Sequence, residues 1–176
     1  IAANKIDLPP ADRYLNEIKE KFGHLTIIPC CADAEMALRE AAKKSLIHYI
    51  PGEHTFTING TVNEKQLQEL SFIQEQVLNK QGSTGVQQVL DAAVFSVLKY
   101  KAIFPGGVNN LKDSEGRTLP DCFLLPEQAT ALDFAAAIHS DLAKNFIRAI
   151  DVRTKKVVGK DHLLQHRDVV EIVTKK

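Results

Sequence analysis

The sequence has no tryptophan, a single methionine, three cysteines and no net charge. Each scarcity excludes something. Cys30 and Cys31 are adjacent and Cys122 stands alone, so neither a disulfide framework nor a cysteine-based zinc site is available. Free thiols in a reducing cytoplasm are the expectation. No apolar run approaches the ~18–20 residues of a membrane helix. The start, Ile1 to Lys5, lacks the basic and apolar regions of a secretory leader, so no membrane partner is expected. The 22 basic residues equal the 22 acidic ones, which excludes a uniformly basic nucleic-acid binder without excluding a local patch. Aromatics are only 6% of the chain, too few beside the basic residues for reading RNA bases by stacking. The chain opens on Ile1, and its only methionine is Met36. It therefore reads as a piece of a longer protein.

What is present is ordinary for a folded domain: 44% hydrophobic and 25% charged residues. A length of 176 residues suggests one or two domains. Ile1-Ala2-Ala3 predicts the end of a buried strand, and Ala11–Phe22 a helix carrying Tyr14, Leu15, Ile18 and Phe22 on one face. Gly23 is its expected stop. Leu25–Pro29 predicts a short buried strand. Asp33 is the expected cap of a helix running to about Tyr49. Residues 53–99 predict a helix pair. Asn63 caps the first, with Leu67, Leu70, Ile73, Val77 and Leu78 as its apolar stripe. Ser83 or Thr84 caps the second. From Tyr100 the pattern changes to strand candidates around Ala102–Phe104, Asp121–Leu125, Arg148–Val152, Val157–Val158 and Val169–Val173. A Thr130-capped helix lies among them, and Asp113–Gly116 forms a turn signal.

Two short motifs carry chemistry. Asn4-Lys5-Ile6-Asp7 directly follows the first strand. It resembles the N-K-x-D element with which P-loop GTPases read guanine. An Asp carboxylate accepts hydrogen bonds from guanine N1–H and the exocyclic amine, a pairing adenine cannot reproduce, and buried polar groups left unpaired penalise the wrong base. In that resemblance Asn4 approaches the N7/O6 edge and ties loops together, while the Lys5 stem covers one face of the base. A helix and a strand later comes Pro29-Cys30-Cys31-Ala32-Asp33. Here Cys31-Ala32 stands where GTPases usually have Ser-Ala, whose Ala N–H bonds guanine O6. The Cys31 thiol is a weaker donor than a serine hydroxyl, so the loop is expected to be less firmly held.

The C-terminal segment is similar to a TGS domain, a ubiquitin-like β-grasp module. The similarity lies in Pro120–Leu124, Ala131–Ala135, His139–Leu142, Phe146–Ala149 and His166–Val173. Gly82-Ser83-Thr84-Gly85-Val86-Gln87 resembles the segment that precedes this domain in YchF-type proteins. In order of elements the whole chain resembles the C-terminal part of an archaeal Obg-related GTPase of the YchF/DRG type. The resemblance implies an α/β remnant of a P-loop GTPase domain over 1–52, a helical connector over 53–99 and an α+β β-grasp TGS domain over 100–176. Asn4, Lys5, Asp7, Cys31 and Ala32 are then the guanine-binding residues. One departure is local: the family's His-Gly-Asp turn reads His166-Arg167-Asp168. If the glycine's positive φ is kept, Arg167 costs about 1 kcal/mol.

A larger departure is an absence. No G-x-x-x-x-G-K-[ST] phosphate loop occurs in these residues, and Gly82–Gly85 has no following lysine. GTP and Mg²⁺ are implied as cofactors of the longer protein, with none expected bound to this chain and no catalytic residue in it. Histidines 162 and 166 stand four apart, but a turn is expected there rather than a metal-binding helix. From Leu142 to Lys176 nine basic residues face four acidic ones, so the neutral total conceals a +5 stretch and a −5 remainder. Arg148, Arg153, Lys155, Lys156 and Lys160 are the expected contacts to a ribosome or RNA through phosphate charge. The alternative is a nucleotide-independent RNA- or protein-binding module built on the TGS domain alone.

Overall fold

A computed structural model describes residues 1–112, 115–119 and 121–175. The expected turn residues Asp113 and Ser114, and Pro120 of the strand motif, lie outside the described residues. The chain forms two compact units, 1–93 and 94–176. Among the described residues no helix is long and apolar enough to cross a membrane.

The first unit opens with a parallel β–α–β turn. Strand β1 (Ala2–Asn4) pairs with β2 (Ile28–Cys30) in register Ala2 to Ile28 and Asn4 to Cys30. Helix α1 (Ala11–Lys21) is the crossover, and it buries Leu15. It ends with Phe22 as its C-cap, so Gly23 takes the expected C′ position, though without a positive φ. Helix α2 (Ala32–Lys43) follows β2 at once, with Cys31 rather than Asp33 in the cap position. It stops six residues short of Tyr49. Ser45 turns left-handed at φ 58°. The Ser45 N–H then reaches the Ala42 carbonyl, and the Leu46 N–H the Ala41 carbonyl, at 2.9 and 3.0 Å. This pair of bonds satisfies the last carbonyls of the helix without a glycine. Helix propensity is a weak force, and here burial of Ile47 and pairing of β3 (Ile47–His48) with β4 (Thr57–Ile58) override it.

Asn63 caps α3 (Glu64–Ile73) through a reciprocal capping box with Gln66. The helix runs on through a π-helical turn, Gln74–Leu78, into α4 (Asn79–Gln81). The π turn inserts a residue into the helical repeat, and consecutive Val77 and Leu78 are both buried. With Leu70 and Ile73 they join Leu38, Ile47 and Tyr49 in one core, whereas Leu67 of the expected stripe is exposed. Gly82 ends α4 in the left-handed region. Gly85, not Ser83 or Thr84, opens α5 (Val86–Asp91), which runs into a second π-helical turn over Ala92–Val97.

The second unit is a five-stranded mixed sheet covered by helix. Strand β5 (Lys101–Pro105) pairs antiparallel with β6 (Phe123–Leu125) and parallel with β9 (Val169–Thr174). Strand β7 (Phe146–Asp151) pairs antiparallel with β9 and with β8 (Lys156–Val158), giving the order β6-β5-β9-β7-β8. Helix α6 (Ala131–Ile138) is opened by a Thr130–Asp133 capping box, and α7 (Ser140–Lys144) follows it. Phe134 of α6 is fully buried with Ile103, Ala149, Leu164 and Val170. It meets Phe123 edge to face at 5.7 Å. This is the α+β grasp topology that the sequence resemblance implies.

Arg167 keeps the positive φ of the turn, at 69°. Its N–H donates to the Ala102 carbonyl at 2.7 Å, and its carbonyl accepts from the Arg153 guanidinium at 3.1 Å. The backbone is therefore held in a conformation that a side chain disfavours. Arg167→Gly should raise stability by about 1 kcal/mol, read as a higher urea midpoint with an unchanged slope.

Candidate functional site

The base-reading candidates meet because β1 and β2 are parallel neighbours. Their C-terminal ends place Asn4 beside Cys30, and the two loops that leave the strands face each other. The Ala32 N–H donates to Asn4 Oδ1 at 3.0 Å. The Cys31 thiol donates to Asp7 Oδ1 at 3.1 Å. Asp7 Oδ2 has no protein donor among the described residues and is available to a ligand. Lys5 is exposed and sits at φ 70°. A lysine in the left-handed region stores about 1–2 kcal/mol, and such strain persists only where its surroundings hold it. Asn4, Lys5, Asp7, Cys31 and Ala32 are thus one cluster of two cross-linked loops.

Cys31 itself is fully buried. Burial above all, with the bond to Asp7 and the charges of Asp7 and Asp33 adding to it, pushes its thiol up to about 11. At neutral pH it is a protonated donor and not a nucleophile. Cys30, also buried, is raised for the same first reason.

Behind this cluster lies a network that the sequence reading missed. Glu35 of α2 is only 4% exposed. Its Oε2 accepts from the Thr84 hydroxyl at 2.6 Å and the Tyr49 hydroxyl at 2.8 Å. Its Oε1 accepts from Arg39 Nε at 2.6 Å. Burial pushes the carboxyl up, but the Thr84, Arg39 and Tyr49 donors outweigh it and hold the group below its usual value of 4.5. Thr84 is fixed in turn, and its carbonyl accepts the Cys31 N–H at 2.8 Å. Gly85 packs so closely on β2 that an added Cβ would lie 1.9 Å from the Pro29 carbonyl oxygen. The 82–85 segment is therefore the rear support of the Cys31–Ala32 loop. The legible signal was the threonine between glycines at a loop; what hid it was that its partner, Glu35, is 49 residues away.

The five basic candidates lie in the second unit, all exposed, along the β7–β8 hairpin at the sheet edge. Arg148 is on β7, Arg153 and Lys155 are in the turn, Lys156 opens β8 and Lys160 follows it. Asp151 organises the turn by accepting from Thr154 Oγ1 at 2.6 Å and the Arg153 N–H at 2.9 Å. The histidine pair sits in turns, where His166 Nδ1 accepts the Ala102 N–H at 3.2 Å.

A family model described as an Obg-like GTPase, YGR210-like, G4 motif-containing domain matches residues 2–108. A TGS domain model matches residues 111–174. A GTP-binding protein of Methanocaldococcus jannaschii is 35% identical over 175 residues, covering 99% of this chain and 44% of that protein. A GTP-binding protein of Schizosaccharomyces pombe is 31% identical over 141 residues, covering 74% of this chain and 34% of its own length. The chain thus spans less than half the length of these relatives. Among solved structures, a GTP-binding protein from Pyrococcus horikoshii OT3 superposes with a TM-score of 0.71 at 38% identity. The match covers 99% of this chain and 45% of that one. The Schizosaccharomyces pombe YchF GTPase superposes at 0.51 with 13% identity, over 92% of this chain and 38% of its own, a likeness of fold alone.

Removing the Thr84 donor leaves a buried carboxylate one charge-assisted bond short. Thr84→Val should destabilise the first unit by about 2 kcal/mol, and Thr84→Ser should restore most of it, as read by urea unfolding. The pH dependence follows from the lowered folded-state value. Glu35's contribution is complete above the usual glutamate value of 4.5 and is lost as pH falls below that through the folded value. The fall in stability over that acid window should be smaller in Thr84→Val than in the parent.

Proposed function

This chain belongs to the Obg-like GTPase family, YGR210-like in type, with a TGS domain, and from that we propose that it supplies the guanine-reading end of a GTP-binding protein. The observation that carries the reading is the pair of loop cross-links, Asn4 to Ala32 and Asp7 to Cys31, with Asp7 Oδ2 left open. Asp7 accepts from guanine N1–H and the 2-amino group. The O6 acceptor shares the Ala32 N–H with Asn4. The Lys5 stem covers the ring. Adenine offers an acceptor where guanine has N1–H and has no 2-amino group, so it leaves the carboxylate unpaired.

The residues present fit the base and not the phosphates. Phosphate binding needs a glycine-rich cradle with lysine, and Mg²⁺ needs hard oxygen ligands. No such cradle occurs in the sequence, and no cluster of three or more metal-ligating side chains occurs among the described residues. We assign both to a part of the protein outside these residues. GTP hydrolysis there would switch an interaction made by the TGS domain with RNA or the ribosome. The edge hairpin carrying Arg148, Arg153, Lys155, Lys156 and Lys160 supports that second role, because exposed cations along one edge meet phosphates by counterion release. It is also the observation behind the alternative, a nucleotide-independent binding module, from which dependence on nucleotide separates the switch.

Two measurements test this. In calorimetry the 176-residue chain should bind GTP with no micromolar affinity, whereas the chain joined to a phosphate-loop segment should bind it. In that longer protein Asp7→Ala should lower GTP affinity at least tenfold, about 1.4 kcal/mol, and abolish the preference over ATP. Micromolar binding by the chain alone, or an indifferent Asp7, would sink the reading. Changing Lys155, Lys156 and Lys160 to Glu should weaken ribosome or RNA capture and flatten its salt dependence; unchanged capture removes the basic edge from the account.

A further inference from the structure

Thr84 is bonded at two points to the first turn of α2, and the bonds close a ring. The Cys31 N–H donates to the Thr84 carbonyl at 2.8 Å, and the Glu35 N–H donates to the Cys31 carbonyl at 3.2 Å. The Thr84 hydroxyl donates to Glu35 Oε2 at 2.6 Å. Cys31 is the N-cap of α2 and Ala32 its first residue. The ring therefore brackets the turn that carries the Ala32 N–H, and Ala32 itself is not a member of it.

The segment around Thr84 is held in one arrangement. Ser83 and Thr84 are 2% and 0% exposed, and buried hydroxyls cost stability unless they are hydrogen-bonded. Ser83 Oγ accepts the Gly85 N–H at 3.0 Å, so it closes on its own segment. Thr84 directs both its hydroxyl and its carbonyl at α2. Gly82 and Gly85 flank the pair at φ 78° and 76°, a region that residues with a side chain rarely enter. A hydrogen bond weakens steeply once its donor is misaligned. The direction of a lone N–H at the start of α2 follows the orientation of that first turn, and the ring fixes the turn.

We propose that Thr84 and Glu35 are positioning residues for the Ala32 N–H, aiming that donor at the 6-oxo group of the base although neither touches the ligand. The proposal rests on the guanine reading above and deepens it with two residues from outside the N-K-x-D run and the Cys31-Ala32 pair. It also divides the recognition in two. Asp7 lies on the other loop, beside Ile6, whose side chain is in the core and whose N–H reaches the Cys30 carbonyl. Its link to Cys31 is a thiol bond, a weak one. The 2-amino edge is therefore read independently of Thr84, whereas the 6-oxo group is read through it.

The test uses the chain joined to its phosphate-loop segment and three nucleotides by calorimetry: GDP, inosine diphosphate, which lacks the 2-amino group, and 6-thioguanosine diphosphate, whose sulfur is a poor acceptor. The parent should prefer GDP to each of the other two. Thr84→Val should weaken GDP and inosine diphosphate alike, by about fivefold, and leave the thio compound nearly unchanged. Its preference for oxygen over sulfur then collapses, while its preference for the 2-amino group stays. Thr84→Ser, which keeps the hydroxyl, should restore both. Ile47→Ala, which loosens the same core without touching the ring, should keep both preferences and so separates aim from stability. The positioning role is overturned if Thr84→Val keeps the oxygen preference, if it loses both preferences together, or if Ile47→Ala loses the oxygen preference too. A parent that prefers the 2-amino group but not oxygen over sulfur also overturns it, and the guanine reading stands. A parent indifferent to the 2-amino group, or one whose preference survives Asp7→Ala, removes the guanine reading and the positioning role with it.

Discussion

A single buried carboxylate organises the first unit. Glu35 sits where water does not reach, and an ionised group there is tolerated only when donors replace its hydration. It has three, and each comes from a different place: Arg39 from its own helix, Tyr49 from beyond β3, and Thr84 from the loop between α4 and α5. Satisfying Glu35 therefore fixes the position of a segment 49 residues downstream. Once Thr84 is placed, its carbonyl meets the Cys31 N–H. Gly85 then lies against the Pro29 carbonyl, where any side chain would collide. The Cys31–Ala32 loop is thus held from both sides. Asn4 and Asp7 hold its front, and the 82–85 segment holds its back.

That arrangement ties the helical segment to the elements that carry the Cys31–Ala32 loop. Leu70, Ile73, Val77 and Leu78 share one core with Leu38 and Ala34 of α2. A displacement of Cys31 and Ala32 cannot be absorbed locally, because the core is close-packed and the buried carboxylate demands its donors. The two positive-φ residues tell a related story. Lys5 and Arg167 each lie in a region that a side chain disfavours. Arg167 is retained by its N–H bond to the Ala102 carbonyl and by the Arg153 guanidinium donating to its carbonyl. Lys5 sits between Asn4 and Ile6, whose side chain is in the core and whose N–H reaches the Cys30 carbonyl at 3.4 Å.

What was legible in the sequence follows from the range of the forces involved. The capping boxes of Asn63 and Thr130 are local, three residues across, and they read correctly. The N-K-x-D run and the Cys31-Ala32 loop read as partners through their resemblance to GTPase elements, and the parallel strand pair puts the two strand ends side by side. Long-range satisfaction was not legible. Thr84 looked like a helix cap because a threonine before a helix usually is one, yet its hydroxyl goes to Glu35 and Gly85 opens the helix instead. Helix α2 looked six residues too long because Ala, Lys and Leu favour helix, while Ile47 was drawn into the core.

The cysteine in the loop shows how such context changes a substitution's meaning. On its own, a thiol in place of a hydroxyl weakens a hydrogen bond and loosens a loop. Here burial and two neighbouring carboxylates push the Cys31 thiol up to about 11. It therefore remains a donor across the neutral range, and Asp7 never faces a thiolate. The same burial is possible because Thr84 takes the Cys31 N–H from behind and Ala34 and Leu38 pack with it. The Glu35–Thr84 support adds a second hold on the loop, through the Cys31 N–H to the Thr84 carbonyl. The loop does not depend on the weaker donor alone, because Asn4 accepts the Ala32 N–H and Thr84 the Cys31 N–H.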